Sequence, residues 1–292
     1  MVSFSDDRDG RKDGLYGITQ KKINSFIHAS QLNITHIPYT YAELENDQIF
    51  KDNKTFMLQS ADYSGRSYKP LIIKRTLELM KDGDLLIYTD CSPELFSIDI
   101  DKIKPELFSF DSLSNLLNLN RGFLALECYW DPYSDRKNTN NWKGMHVHEL
   151  FTLNRCMKYM NCEKYEHCLM CASGVLLMKK KEFVVNLIDE WLKYNLIPDC
   201  ASLGPSDKNT EYWREECDKK FGHRHDQSII SLLMNKYDLH VLNTDLYLGN
   251  PYFAFNYFLK SKTYTTYSTI RLPPPFKKIQ IGYPDIYADV PR

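Results

Sequence analysis

The segment DLLIYTDCS, residues 84–92, is the strongest indication of the fold in this chain of 292 residues. Residues 85–88 form a continuous apolar run, which is typical of a strand that is buried on both faces of a sheet. Thr89 and Asp90 follow the run and mark the carboxyl end of the strand. Because open α/β sheets bind ligands outside the carboxyl ends of their strands, the segment predicts that Asp90 lies at a ligand-binding edge.

The residues before this strand predict a helix and a turn. Pro70 suits the first turn of a helix over residues 68–80, and apolar residues recur along that range at helical spacing. Asp82, Gly83 and Asp84 predict a tight turn. A helix is therefore expected to pack, turn and lead directly into the central strand.

Apolar runs and amphipathic segments alternate along the remaining chain. Strands are predicted at residues 2–6, 33–38, 123–128, 171–178 and 239–243, and helices at residues 18–31, 41–51, 144–159, 181–194 and 226–236. This alternation predicts an α/β fold with a mostly parallel central sheet flanked by helices. We expect one domain over residues 1–292, with a donor-binding half over about residues 1–130 and an acceptor-side half over about residues 131–292.

The composition favours a globular protein. Hydrophobic residues make up 43% and charged residues 26% of the chain, and the formal net charge is −1. Such a balance provides no strong field for nucleic acid or an anionic membrane. No run reaches the about 18 apolar residues that span a bilayer, and the first residues lack the pattern of a signal peptide. We therefore expect the chain to fold in the cytosol, which would be a host cytosol if its source is viral.

The carboxylate of Asp90 has two interpretations. It could bind a divalent metal ion that neutralises a diphosphate, which the departure of a nucleoside diphosphate requires. It could instead be a capping or turn aspartate. Lys69, expected near the same edge, could pair with a phosphate as a point charge, although a solvated surface lysine is the alternative.

The segment HRHDQS, residues 223–228, begins a predicted helix. An N-cap role would account for Asp226, because aspartate there accepts amide hydrogen bonds. That role leaves both imidazoles unexplained. His225 could bind a metal ion or a phosphate, whereas His223 is expected to be structural.

Eight cysteines are present, and five metal-ligating residues lie close together at Cys156, Cys162, His167, Cys168 and Cys171. Without a secretion signal, free thiols are the default expectation. The spacing of Cys168 and Cys171 matches half of a zinc site, but buried free cysteines are common. A zinc-stabilised interaction protein is therefore one alternative function.

Taken in order, the segments of this chain resemble a group of bacterial, viral and protist glycosyltransferases of the GT-A type. The resemblance rests on YKP (68–70), DGD (82–84), YTD (88–90), WK (142–143), AS (172–173), EWL (190–192) and HRHDQS (223–228). These segments keep their order over about residues 15–245, and it is the ordered set that is specific.

The resemblance implies a Rossmann-like GT-A fold that transfers a sugar from a nucleotide sugar, with a UDP-sugar expected first, to a glycan or another hydroxyl acceptor. It implies Mn²⁺ or Mg²⁺ as cofactor and no organic cofactor. Its implied site consists of donor-binding Lys69, Asp90, Ser92, His225 and Gln227, metal-binding Asp90 and His225, and catalytic Asp226. The second acid of the usual metal motif is Ser92 here, which could bind metal through water, or Glu94 could substitute for it.

The sequence leaves the catalytic mechanism and the class of protein open. An inverting enzyme needs a general base, for which Asp226 and Glu127 are candidates, whereas a retaining enzyme need not show one. Ser92 slightly favours a non-catalytic sugar- or nucleotide-binding member of the same fold. A glycoside hydrolase ranks low because no two acids pair convincingly in the sequence.

Overall fold

A computed structural model describes residues 1–5, 15–29, 34–58, 67–91, 110–127, 148–201, 223–242 and 266–267. The strands are β1 (Val2–Ser5), β2 (Ile37–Thr40), β3 (Leu85–Asp90), β4 (Phe123–Glu127), β5 (Cys171–Lys179), β6 (Val241–Leu242) and β7 (Thr266–Tyr267). The helices are α1 (Leu15–Ala29), α2 (Tyr41–Glu45), α3 (Gln48–Asp52), α4 (Lys54–Leu58), α5 (Tyr68–Leu79), α6 (Phe110–Leu119), α7 (His148–Phe151), α8 (Asn154–Tyr159), α9 (Glu182–Asn195), α10 (Pro198–Ala201) and α11 (Asp226–Lys236), with a 3-10 turn at Glu163–Tyr165.

All seven strands form one sheet in the order β2-β1-β3-β5-β4-β6-β7. The pairs β1–β2, β1–β3 and β4–β6 are parallel, whereas β5 runs antiparallel to β3 and β4, and β7 runs antiparallel to β6. Strands β1, β2, β3, β4 and β6 therefore share one direction. The predicted α/β class, with a sheet that is mostly parallel and flanked by helices, is confirmed at this level.

The antiparallel β5 is a feature that the apolar pattern did not predict. Glu127, at the end of β4, pairs with Cys171, at the start of β5. The chain therefore re-enters the sheet at the edge where it left, so no crossover connection intervenes and the strand must run backwards. An apolar run indicates a buried strand but carries no information about its direction.

Several predicted boundaries differ from the observed ones. The strand predicted at residues 33–38 lies at Ile37–Thr40 and contains Pro38, which is tolerated because β2 is at the end of the sheet order. The single helix predicted over residues 41–51 is two helices, because Asp47 caps α3 by accepting a hydrogen bond from the amide of Phe50. The helix predicted over residues 144–159 contains α7 and α8, and residues 144–147 lie outside the described part.

The centre of the sheet is covered on both faces. Residues 86–89 of β3 are consecutive and all buried, which requires neighbours on each side because successive side chains alternate in direction. Helices α5 and α9 pack together, and Trp191 of α9 is fully buried. Among the helices of the described residues, none combines the length and the apolar character needed to cross a membrane.

The strand order fixes where a ligand is expected. From β1 the chain goes to β2 on one side, and β3 then lies on the other side of β1. The crevice of an open α/β sheet lies at such a reversal, outside the carboxyl ends of the two strands. Asp90 ends β3 there, opposite Phe4 of β1. Because α5 leads through a short turn into β3, its first turn returns to the same edge.

Candidate functional site

A buried lysine lies between two aspartates at this edge. The Nζ atom of Lys69 is 2.8 Å from Oδ2 of Asp226 and 3.3 Å from Oδ1 of Asp90. It also donates to Ser173, 3.1 Å from its Oγ and 3.2 Å from its carbonyl oxygen. The Ser173 hydroxyl in turn donates to Asp226 Oδ2 over 2.9 Å. We call Lys69, Asp90, Ser173 and Asp226 the Lys69 cluster.

Four different elements position the Lys69 cluster. Lys69 is in the first turn of α5, Asp90 ends β3, Ser173 is in β5, and Asp226 begins α11. A carboxylate in the first turn of a helix is stabilised by the helix dipole. The indole nitrogen of Trp191 donates to the carbonyl oxygen of Asp226 over 3.0 Å, which ties this helix start to α9.

Exposure separates the three charged members of the cluster. The side chains of Lys69 and Asp226 are 4% and 1% exposed, whereas that of Asp90 is 30% exposed. A buried ion pair loses hydration and therefore needs close, hydrogen-bonded partners, which Lys69 and Asp226 have. Asp90 is the charged member of the cluster that a ligand can reach.

The surroundings of Asp90 perturb its ionisation. Burial raises the pKa of Asp90, and the Asp226 carboxylate adds to the rise. The Lys69 ammonium and the Tyr88 hydroxyl lower the pKa of Asp90 and offset part of this rise. The Tyr88 hydroxyl donates to Asp90 Oδ1, and burial holds the pKa of Tyr88 well above its ordinary value. With both carboxylates ionised, one cation faces two anions, and the cluster carries one net negative charge.

The two histidines of the HRHDQS segment bond to backbone carbonyls. His225 Nδ1 donates to the carbonyl of Ala201 over 2.9 Å, and His223 Nε2 donates to that of Cys200 over 2.6 Å. Both rings are buried and meet edge to face. The φ of His225 is 50°, which is unusual for a residue other than glycine and occurs immediately before Asp226. The structural role predicted for His223 matches these contacts.

The residues of this edge do not by themselves fit a divalent metal ion. Asp90 offers one partly exposed carboxylate, and the Lys69 ammonium already lies between it and Asp226. Within the described residues, no three histidine, cysteine, aspartate or glutamate side chains converge to hold a metal ion. The predicted Mn²⁺ or Mg²⁺, with Asp90 and His225 as ligands, stays a prediction.

The cysteines of the described residues are free thiols in the core. Cys171 Sγ lies 3.3 Å from the hydroxyl of Ser231, and the Cys162 thiol donates to the carbonyl of Met160. The zinc half-site suggested by Cys168 and Cys171 therefore has at least one thiol engaged by a serine. Burial raises the pKa of Cys162 to about 11, so this thiol stays protonated at neutral pH.

The remaining predicted residues are only partly described. Ser92, Glu94 and the WK segment at residues 142–143 lie outside the described residues, as does the side chain of Glu127. Gln227 follows Asp226 in α11 and is half-buried, and its carbonyl oxygen accepts a hydrogen bond from Ser231. The structure therefore brings together three of the predicted residues, Lys69, Asp90 and Asp226.

Two contributors to this arrangement were missed as members of the site. Ser173 holds Lys69 and Asp226 together, and Tyr88 bonds to Asp90. A polar residue inside the buried run CASGVLLM was the available signal for Ser173, because a buried hydroxyl needs a partner. Tyr88 had a weaker signal, since a tyrosine in a central strand is ordinary core.

Comparison with known proteins adds no relative to this description. No family model matches the chain, and neither a curated protein nor a solved structure matches it.

Proposed function

We propose that this protein transfers a sugar from a nucleotide-sugar donor to a hydroxyl acceptor. The observation that carries the proposal is the Lys69 cluster at the carboxyl ends of the strands, next to the reversal of strand order between β1 and β3. Nucleotide ligands occupy this location in open α/β sheets. The ordered segments that resemble GT-A glycosyltransferases, and the Rossmann-like fold that they imply, support the same function.

Asp90 is the residue proposed to meet the donor. Its side chain is 30% exposed, and an ionised carboxylate accepts hydrogen bonds from the hydroxyl groups of a sugar or a ribose. Lys69 and Tyr88 both contact this carboxylate, so its orientation is fixed before a ligand arrives. A preorganised acceptor of this kind spends little free energy on rearrangement when it binds.

Asp226 has a different place in the proposal. Its side chain is 1% exposed, and its Oδ2 is engaged by Lys69 and Ser173, so in this geometry it holds Lys69 rather than facing an acceptor hydroxyl. Its role as a general base stays a prediction. The fixed positive charge of Lys69, close to Asp90, contributes to the electrostatics of the site.

The test is a ligand panel followed by a transfer assay. UDP, GDP, CMP and their sugars are added to the full chain, and the melting temperature is measured, because a ligand that binds the native state raises its apparent stability. A stabilising donor is then tested for sugar release and for transfer to simple hydroxyl acceptors. A panel in which no nucleotide or nucleotide sugar stabilises the protein contradicts the proposal.

A matched pair of variants tests Asp90 directly. Asp90→Asn is expected to abolish transfer and to weaken donor binding while the protein stays folded. Asp189→Asn, which changes an exposed aspartate of α9, is the control and is expected to keep both properties. Turnover by Asp90→Asn at the wild-type rate would remove Asp90 from the site.

A non-catalytic nucleotide- or sugar-binding protein is the second candidate. The observation that favours it is the burial of Asp226, which leaves Asp90 as the one charged group of the cluster that a ligand can reach. This candidate predicts that a nucleotide sugar raises the melting temperature but is neither hydrolysed nor consumed with any acceptor.

A further inference from the structure

The ammonium of Lys69 is surrounded by oxygen atoms. Around its Nζ lie a carboxylate oxygen of Asp226 at 2.8 Å, both carboxylate oxygens of Asp90 at 3.3 and 3.5 Å, and the hydroxyl and carbonyl oxygens of Ser173 at 3.1 and 3.2 Å. Carboxylate, hydroxyl and carbonyl oxygens are also the groups that bind a hard divalent cation in proteins. The ammonium of Lys69 therefore occupies the position among these oxygen atoms that a metal ion would need.

We infer that Lys69 is the resident cation of this site and that the nucleotide-sugar donor binds beside it without a divalent metal ion. The inference rests on the proposed function for the identity of the ligand. It does not rest on that function for the location of the cation, which follows from the contacts of Lys69 alone.

The ammonium of Lys69 weakens the attraction of the two ionised carboxylates for a divalent metal ion. Two carboxylates and one ammonium leave a net charge of −1, so much of the attraction for a dication is already neutralised. Two cations repel each other strongly at about 3–4 Å, even at the effective dielectric constant of a protein surface. A metal ion between Asp90 and Asp226 would therefore have to displace Lys69.

Displacement is opposed by the way Lys69 is held. Its side chain is 4% exposed, and its partners belong to three separate elements, β3, β5 and α11. Withdrawing the ammonium would break the 2.8 Å ion pair with Asp226, whose side chain is 1% exposed. Breaking a buried ion pair is strongly destabilising, so displacing Lys69 would offset much of what a metal ion gains on binding.

The first experiment uses the wild-type chain. Binding of UDP, GDP, CMP and their sugars is measured by calorimetry in EDTA and again in 2 mM MnCl₂. The expected result is a Kd that agrees between the two buffers within about a factor of two. A nucleotide that binds only with manganese overturns the inference and leaves the proposed function standing. Failure of the whole ligand panel in both buffers overturns both.

The second experiment removes the ammonium of Lys69 and asks whether manganese binds in its place. Lys69→Ala removes the ammonium and leaves the oxygen atoms of Asp90, Ser173 and Asp226 facing the vacated space. Manganese alone is expected to raise the melting temperature of Lys69→Ala by several degrees and to leave that of the wild type unchanged. Lys74→Ala, on the same helix, is the matched control and is expected to behave like the wild type.

The outcomes of the second experiment are separate from donor binding. Bound manganese is also counted by the loss of the free-ion electron paramagnetic resonance signal, with about one ion per chain of Lys69→Ala expected. Equal effects of manganese on the wild type and on Lys69→Ala would overturn the placement of Lys69 as the resident cation. If Lys69→Ala does not fold, the wild-type titrations in EDTA and manganese still decide the inference, since they need no variant.

Discussion

Helix α5 carries two lysines that pair with aspartates in very different surroundings. Lys69 is in the first turn, 4% exposed, and meets Asp226, which is 1% exposed. Lys74 lies one and a half turns later, 22% exposed, and its Nζ is 2.6 Å from Oδ1 of Asp189, which is 44% exposed. The pair with the shorter distance is the more exposed of the two.

The distance between the charged atoms does not by itself determine how much an ion pair contributes to stability. Water screens the Lys74 pair, so little changes when it is broken. The Lys69 pair has given up its hydration, and each member depends on the other to stay charged in the interior. A close contact at the surface is therefore compatible with a small effect, and a looser contact in the core with a large one.

The largest loss of stability is expected when the buried cation of the two pairs is removed. Lys69→Met keeps the apolar part of the side chain but removes the ammonium that lies 2.8 Å from the buried carboxylate of Asp226. We expect a loss of about 3–5 kcal/mol in the free energy of unfolding at pH 7. Urea unfolding followed by circular dichroism measures it. A loss no larger than that of Lys74→Met would show that the cluster is hydrated.

The two aspartates around Lys69 differ in exposure, so their substitutions are expected to differ in cost. Asp226→Asn leaves an uncharged amide against a buried ammonium, and we expect it to cost about 2–3 kcal/mol. Asp90→Asn alters a side chain that is 30% exposed, and a cost below about 1 kcal/mol is expected. Equal costs in urea unfolding would mean that exposure does not distinguish the two carboxylates.

His36 shows what happens to a partly buried basic group that has neutral partners. Its Nε2 lies 2.8 Å from Ser3 Oγ, and its Nδ1 lies 3.3 Å from Asn24 Oδ1. Burial, with smaller contributions from the chain amino terminus and His28, lowers the pKa of His36 from 6.5 to about 4. The folded state therefore favours the neutral form of this imidazole. Lys69, in contrast, has carboxylates as partners.

The sign of the resulting pH dependence follows from linkage. Between pH 6.5 and about 4 the unfolded chain binds a proton at His36 that the folded chain does not, so stability falls as the pH falls through this window. Because the ring is only partly buried, we expect this part of the loss to be about 1–2 kcal/mol. Urea unfolding at pH 6.5 and pH 4.5 should show a smaller decrease for His36→Gln than for the wild type. Identical decreases would assign the effect to other groups.

The smallest expected effect belongs to the exposed pair. Lys74→Met removes contacts to Asp189 and Glu78, both of which water reaches, and the change in unfolding free energy should stay within about 1 kcal/mol. Whatever the pair contributes should also fade in 1 M NaCl, because salt screens exposed charges. A large loss that persists in high salt would show that Lys74 supports packing between α5 and α9.

The sequence was a good guide to single residues and a poor guide to their pairing. Asp90 could be placed because an apolar run ends there, and Lys69 because Pro70 marks a helix start. Their contacts with β5 and α11 could not be predicted, since Lys69 and Ser173 are 104 residues apart and meet only through the order of the strands. Local periodicity reports which face of an element is buried but does not report its neighbour.

Two further features were beyond local patterns for related reasons. The direction of β5 depends on where the chain re-enters the sheet, which an apolar run does not encode. A histidine in the sequence does not reveal whether its ring binds a metal ion or a backbone carbonyl. His225 Nδ1 bonds to the carbonyl of Ala201, a residue 24 positions earlier in the chain. Chemistry that depends on distant backbone groups leaves no motif in the sequence.

The position of β5 between β3 and β4 has a consequence for folding during synthesis on the ribosome. Both neighbours are synthesised before β5, so each waits with an unpaired edge until residues 171–179 have emerged. Lys69 waits longer still, because Asp226 is made later than every strand from β1 to β5. A nascent chain halted before residue 171 would display unpaired sheet edges, which chaperones are suited to shield.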